Sequence, residues 1–115
     1  AKHRLHYGVG WGTPHPRRIF NGGDPSGEAL DLTWRNWGSS TATAHGLTWV
    51  FTPHGGYYRK PLPIEFRAFK IGRCERGGPP AYTRLEARVV LKPAGAFGRW
   101  FLWGPTGGDI CKHLA

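Results

Sequence analysis

Leu30-Asp31-Leu32-Thr33-Trp34-Arg35 alternates apolar and polar residues without a break. A period of two places Leu30, Leu32 and Trp34 on one face of an extended segment and Asp31, Thr33 and Arg35 on the other, which describes a strand with one covered face. Leu85, Ala87, Val89 and Leu91 repeat the pattern against Arg84, Glu86, Arg88 and Val90. Between these two strands, Ala42 and Ala44 hold one phase while Leu47, Trp49 and Phe51 hold the other. The switch falls at His45-Gly46 and predicts a β-bulge or bend there, because one inserted residue turns the side chains over. Leu62, Ile64, Phe66 and Ala68 share a face and Phe69 and Ile71 share the opposite one, which predicts a second bulge near Ala68. Pro61 and Pro63 lack an N–H, so the start of that strand is expected at a sheet edge.

Shorter segments complete the chain. Leu5, Tyr7 and Val9, and Arg18-Ile19-Phe20, suggest two more short strands. Trp100-Phe101-Leu102-Trp103 is apolar on both faces, with Trp100 and Trp103 on opposite sides of a short strand. Turns are marked at Asn21 to Gly27, Trp37-Gly38-Ser39-Ser40, Pro53-His54-Gly55-Gly56, Gly77-Gly78-Pro79-Pro80 and Pro93 to Gly98, where residues that accept positive φ or preset φ cluster. No stretch of ten residues shows a helical period with caps. The expected fold is all-β: a single-domain antiparallel sandwich or small barrel of six to seven strands with bulges and one disulfide. Residues 1–14 form a basic, turn-rich N-terminal segment, 15–111 one β domain, and 112–115 a tail that belongs to no strand pattern and resembles vector-derived sequence.

Composition agrees with this reading. Gly (18) and Pro (10) make up about a quarter of the 115 residues, which excludes a helical bundle or coiled coil. Six Trp, six Phe and four Tyr supply a packed core that a disordered chain would lack. No apolar run approaches the roughly 20 residues that span a bilayer as a helix. Lys and Arg number 16 against 7 Asp and Glu, a net charge of +9, and eleven of the sixteen are Arg. A field of that sign attracts polyanions such as anionic cell-wall polymers, acidic lipid surfaces or, without sequence preference, nucleic acid. The alternative is a charge that serves solubility alone, since Arg17-Arg18 and Arg59-Lys60 are the only adjacent basic pairs.

Cys74 and Cys111 are either one disulfide or two thiols, and the absence of a CxxC spacing argues against a redox or zinc site. A bridge would close a loop of 37 residues and contribute roughly 3–4 kcal/mol in the chain-entropy account. The bridged form is the expectation, and with it an oxidising, extracytoplasmic compartment. No signal peptide precedes Ala1, as in a mature chain that starts after cleavage.

Several segments together resemble a known group. These are Leu32-Thr33-Trp34-Arg35-Asn36-Trp37-Gly38 with the small residues through Ala44, Gly55-Gly56-Tyr57-Tyr58, Ile71-Gly72-Arg73-Cys74, Ala81-Tyr82-Thr83-Arg84-Leu85, Gly98-Arg99-Trp100-Phe101-Leu102-Trp103, and Cys111. They are similar to small exported, disulfide-containing domains of actinobacteria, over roughly residues 15–111. The resemblance implies secretion or cell-surface location, a β fold and a Cys74–Cys111 bridge. It implies no catalytic residue.

Candidate sites follow from residue chemistry. If Ala1 is the native terminus, its amine, two backbone nitrogens and the His3 ring would suit square-planar Cu(II) or Ni(II). The six His otherwise form no metal motif, and no cofactor motif is present. Glu65 and Arg67 face away from the Leu62/Ile64/Phe66 side, as Arg84, Glu86 and Arg88 face away from theirs, so pairing of the two strands would make a ladder of opposite charges. Ser39-Ser40 lacks the partners of a serine hydrolase. Arg17, Arg18, Trp37, Tyr57, Tyr58, Arg59, Lys60, Arg99 and Trp103 interleave cations with rings that stack on sugars or bases, and are the expected polymer-binding residues.

The leading expectation is a non-catalytic secreted binding domain for an anionic or glycan envelope polymer or an extracellular protein. Two alternatives stand beside it. One is a small disulfide-stapled inhibitor of a secreted enzyme, inserting a loop such as 53–60. The other is a small basic ribonuclease-like toxin that uses the Glu, Arg and His side chains.

Overall fold

The computed structural model describes residues 15–20, 27–73, 76–77 and 80–103. Among them the chain is all-β, with no helix: β1 (Ile19–Phe20), β2 (Glu28–Arg35), β3 (Thr41–Thr48), β4 (Leu62–Gly72), β5 (Ala81–Val89) and β6 (Phe101–Leu102). The expected strand at Leu5 to Val9, both cysteines, Ala1, His3 and the tail lie outside the described residues.

All the strands belong to one antiparallel sheet in the order β1-β2-β3-β4-β5-β6. This corrects the expected sandwich or barrel. Among the described residues each strand pairs with its neighbour in the chain, and none leaves to start a second layer. The two-residue length of β1 and β6 makes them small flanking pieces on a four-strand centre.

One face of the sheet carries the core. Ala42, Ala44, Ile64, Phe66, Ala68, Leu85 and Ala87 are buried on β3, β4 and β5, and the register sets Ala44 opposite Phe66 and Phe66 opposite Ala87. Rings join these small residues: Trp34, Trp37, Tyr82 and Trp103 all pack into the same cluster with Ile19 and Leu32. Burying one aromatic body removes about 150–250 Å² from water, so these rings dominate the cohesion of a thin core.

The phase of β3 differs from the expectation. Ala42, Ala44 and Thr48 point inward and Leu47 is only half-buried, so the inward set runs through Gly46 without a switch. The irregularity lies on the facing strand. Leu30 pairs with Leu47 and Thr33 with His45, so Asp31 and Leu32 together oppose Gly46. Asp31 takes φ 52°, a conformation that Asp tolerates better than most residues. The bulge lets Leu32 drop inward over Gly46, where a Cβ would lie 2.4 Å from the Leu30 carbonyl oxygen and 2.8 Å from Leu32 Cδ2. Buried Thr48 satisfies its hydroxyl by donating to the Glu28 carbonyl at 2.7 Å.

Two further expectations are corrected. β4 and β5 keep one register from Ile64–Val89 to Gly72–Ala81, so no residue is inserted near Ala68. A local twist replaces the bulge, with Lys70 at φ 57° and its carbonyl accepting from Thr83 Oγ1 at 2.6 Å. β4 is also central rather than an edge, and Pro63 pairs with Leu47. The Pro63 carbonyl accepts from Val90 N at 3.2 Å. Its nitrogen therefore faces the β5 side just where β5 has ended at Val89, so the missing donor costs the ladder nothing.

Tyr82 locks the β2–β3 turn. Its side chain is fully buried; its hydroxyl donates to the Ser39 carbonyl at 2.6 Å and accepts from Gly38 N at 2.7 Å. Burial raises its pKa above 10.0, partly offset by the Gly38 hydrogen bond. A phenol whose folded-state pKa is raised contributes its full stability below the unfolded value, and loses it as pH rises through the folded one. Tyr82→Phe removes the hydrogen bonds to Gly38 N and Ser39 O, which belong to exposed residues that water can reach, and should cost about 0.5–1.5 kcal/mol at neutral pH. Because only the wild type titrates here, the gap between the two proteins should narrow above pH 10.0. Urea unfolding followed across that range checks both.

Candidate functional site

The face opposite the core carries the chemistry. Alternation along β4 and β5 sends Glu65, Arg67, Glu86 and Arg88 to this side, and the register sets Glu65 beside Arg88 and Arg67 beside Glu86. The expected ladder of opposite charges forms. Arg67 Nε donates to Glu86 Oε1 at 2.6 Å. Arg88 holds Glu65 Oε1 through both Nε at 2.6 Å and Nη2 at 2.5 Å. These half-exposed pairs contribute about 0.2–1 kcal/mol each, so their use lies in orientation more than in stability.

Trp100 covers the ladder. Its ring lies 4.2 Å from the Arg67 guanidinium carbon and 4.8 Å from that of Arg88. Phe97 lies 4.9 Å from Arg88. Two guanidinium groups are thus fixed by a carboxylate on one side and an indole face on the other. Beside them is a hollow of about 180 Å³ lined by Thr43, His45, Glu65, Arg88 and Trp100. His45 is exposed and is the β3 register partner of Glu65. Among the described residues Glu65 Oε2 and the His45 ring carry no hydrogen bond.

A second concavity opens at the start of β4. Tyr58, Arg59, Lys60, Pro61 and Leu62 line one wall and Pro93 and Ala94 the other, around about 480 Å³. The wall is built by a small hairpin between β3 and β4. Tyr58 N donates to Val50 O at 3.1 Å, and Thr52 N to Gly56 O at 2.8 Å. Gly55 and Gly56 take φ 94° and 71° to close its tip. Phe51 and Tyr57 stack across it at 4.4 Å, with Trp49 edge-on to Tyr57 at 6.3 Å.

The expected polymer-binding residues divide accordingly. Tyr57, Tyr58, Arg59 and Lys60 come together at this groove and its hairpin. Arg17 and Arg99 are exposed elsewhere, and Arg18 is paired with Glu28 through Nε at 2.6 Å. Trp37 is half-buried among Trp34, Tyr82 and His15, with centroids 4.9–5.0 Å apart. Trp103 is 5% exposed and meets Phe66 edge-to-face at 5.0 Å. It is a core residue and offers no platform to a polymer, because Trp103 N bonds Leu85 O and its side chain follows Leu85 to the apolar face. The ring over the charged face is Trp100, which the choice of residues passed over, although its opposition to Trp103 was visible in the sequence. His45, Pro93 and Ala94 were read only as a phase switch and a turn, since the folded chain alone brings them to these sites.

Among the described residues no three His, Cys, Asp or Glu side chains gather as a metal site, and no helix is long and apolar enough to cross a membrane. Compared with protein families, with curated proteins and with solved structures, the chain finds no match.

Proposed function

We propose that this protein binds an anionic polymer of the cell envelope, outside the reducing cytosol, through the groove between the β3–β4 hairpin and the turn after β5. The observation that carries this reading is the convergence of Tyr58, Arg59 and Lys60 on one concavity whose lining also includes apolar Pro61, Leu62 and Pro93. A ring and two cations along a groove of this size suit a repeating chain that alternates sugar or polyol units with negative charge. The net charge of +9 adds attraction at longer range. The compartment rests on the expected Cys74–Cys111 bridge and on the resemblance to exported actinobacterial domains.

The test is retention on immobilised heparin and on purified polyglycerol phosphate, measured against salt. Wild type should be retained at low salt and release as salt rises. Arg59→Ala combined with Lys60→Ala should weaken binding by about tenfold or more, roughly 1.4 kcal/mol per decade. Equal retention of that variant and wild type would move the binding surface elsewhere, and no retention of wild type at low salt would end the proposal.

A further inference from the structure

From the charged face we infer that the hollow of His45, Glu65, Arg88 and Trp100 is a general acid–base site for cutting RNA at the phosphate next to a 2′-hydroxyl. This goes beyond the binding reading and does not depend on what the groove holds.

Three observations carry it. Glu65 and His45 are cross-strand register partners on one face, which sets their Cβ atoms about 4.5–5.5 Å apart. A base and an acid are thereby placed within reach of a single phosphate. Next, Arg88 uses two donors on Glu65 Oε1, which leaves Oε2 without a bond among the described residues and open to a proton. Finally, Arg88 is held by Glu65 below and by the Trp100 ring at 4.8 Å, so a cation is already oriented at the wall of a hollow large enough for a phosphodiester group. Nearby charges on the same face are Arg35 of β2, Arg67 of β4, and Arg84 and Glu86 of β5, so the site is net positive.

The step balances without any co-reactant. Glu65 Oε2 takes the 2′-hydroxyl proton, the 2′-oxygen forms a bond to phosphorus, and the bond from phosphorus to O5′ breaks. The His45 imidazolium gives its proton to O5′. The products are a 2′,3′-cyclic phosphate end and a free 5′-hydroxyl. Arg88 stabilises charge that develops on the phosphoryl oxygens.

The experiment incubates the purified full chain with a labelled oligoribonucleotide, the matching oligodeoxyribonucleotide, and polyglycerol phosphate. Cleavage of RNA to cyclic-phosphate ends with the DNA intact is the expected result. His45→Ala and Glu65→Gln should each lower the rate at least about 100-fold. Glu86→Gln, which breaks the neighbouring ion pair and touches neither proposed group, should retain cutting and so separates chemistry from folding; thermal unfolding of all variants is recorded alongside. Absence of RNA cleavage, cleavage of DNA as well, cutting confined to polyglycerol phosphate, or activity that survives in both His45→Ala and Glu65→Gln would each overturn the assignment. None of these outcomes bears on retention by the groove, so the two readings fail separately.

Discussion

Trp103→Ala should unfold this domain more readily than any change on the charged face, at a cost of about 3–5 kcal/mol. The indole is 5% exposed, packs edge-to-face on the fully buried Phe66, and closes the core where β6 has already ended. Removing it leaves a void beside Phe66, Leu85 and Ala87, and the alanines of the central strands have no side chain long enough to fill it. Chemical denaturation gives the loss directly. A small domain with stability of about 5–15 kcal/mol would then be close to its limit at 37 °C. The companion change Trp100→Ala should cost far less, since it removes cation–π contacts worth about 0.5–1 kcal/mol each at a half-exposed site. Similar losses for the two would contradict the division of the faces.

Gly46→Ala is the second large effect, expected at about 2–4 kcal/mol despite adding a single methyl group. Open space absorbs such a change at Gly55 or Gly56, where nothing lies within 4 Å of a built Cβ. At Gly46 the new atom would meet a backbone oxygen at 2.4 Å and the Leu32 side chain at 2.8 Å. A carbonyl in a paired strand cannot rotate away without breaking the ladder around the bulge, so β2 has to shift as a unit. Thermal unfolding measures the cost. A drop below about 1 kcal/mol would mean that the bulge at Asp31 and Leu32 relaxes freely.

The same position explains what could and could not be read from the chain. A break near His45-Gly46 was legible, because apolar alternation changes phase there. Its location on the opposite strand was not, since the residues that continue the inward face of β3 are Gly46 and Thr48, which carry no apolar signal. Leu47 and Phe51 drew attention as apolar residues, yet one is half-buried and the other 50% exposed. The ladder of Glu65, Arg67, Glu86 and Arg88 was legible from strict alternation on two long strands. Trp100 and Trp103 were harder, because a run of four apolar residues has no period to say which ring faces inward. The layer number was not legible at all. A strand pattern reports that one face is covered and is silent on whether a second sheet or the chain's own large rings do the covering. The groove depended on Pro93 and Ala94 meeting Tyr58 to Leu62 from a separate turn, a contact that no local rule supplies.

The simple up-and-down order of the strands carries a kinetic consequence. Among the described residues every strand pairing joins segments adjacent along the backbone, so each hairpin forms by a short loop closure without bringing distant strands together first. Sheets that cross over pay for long closures early and refold slowly, whereas this meander can zip outward from its central hairpin of Leu62–Gly72 and Ala81–Val89. Refolding should therefore be fast for an all-β chain of its length, with the rings that seal the apolar side docking only after the hairpins have closed.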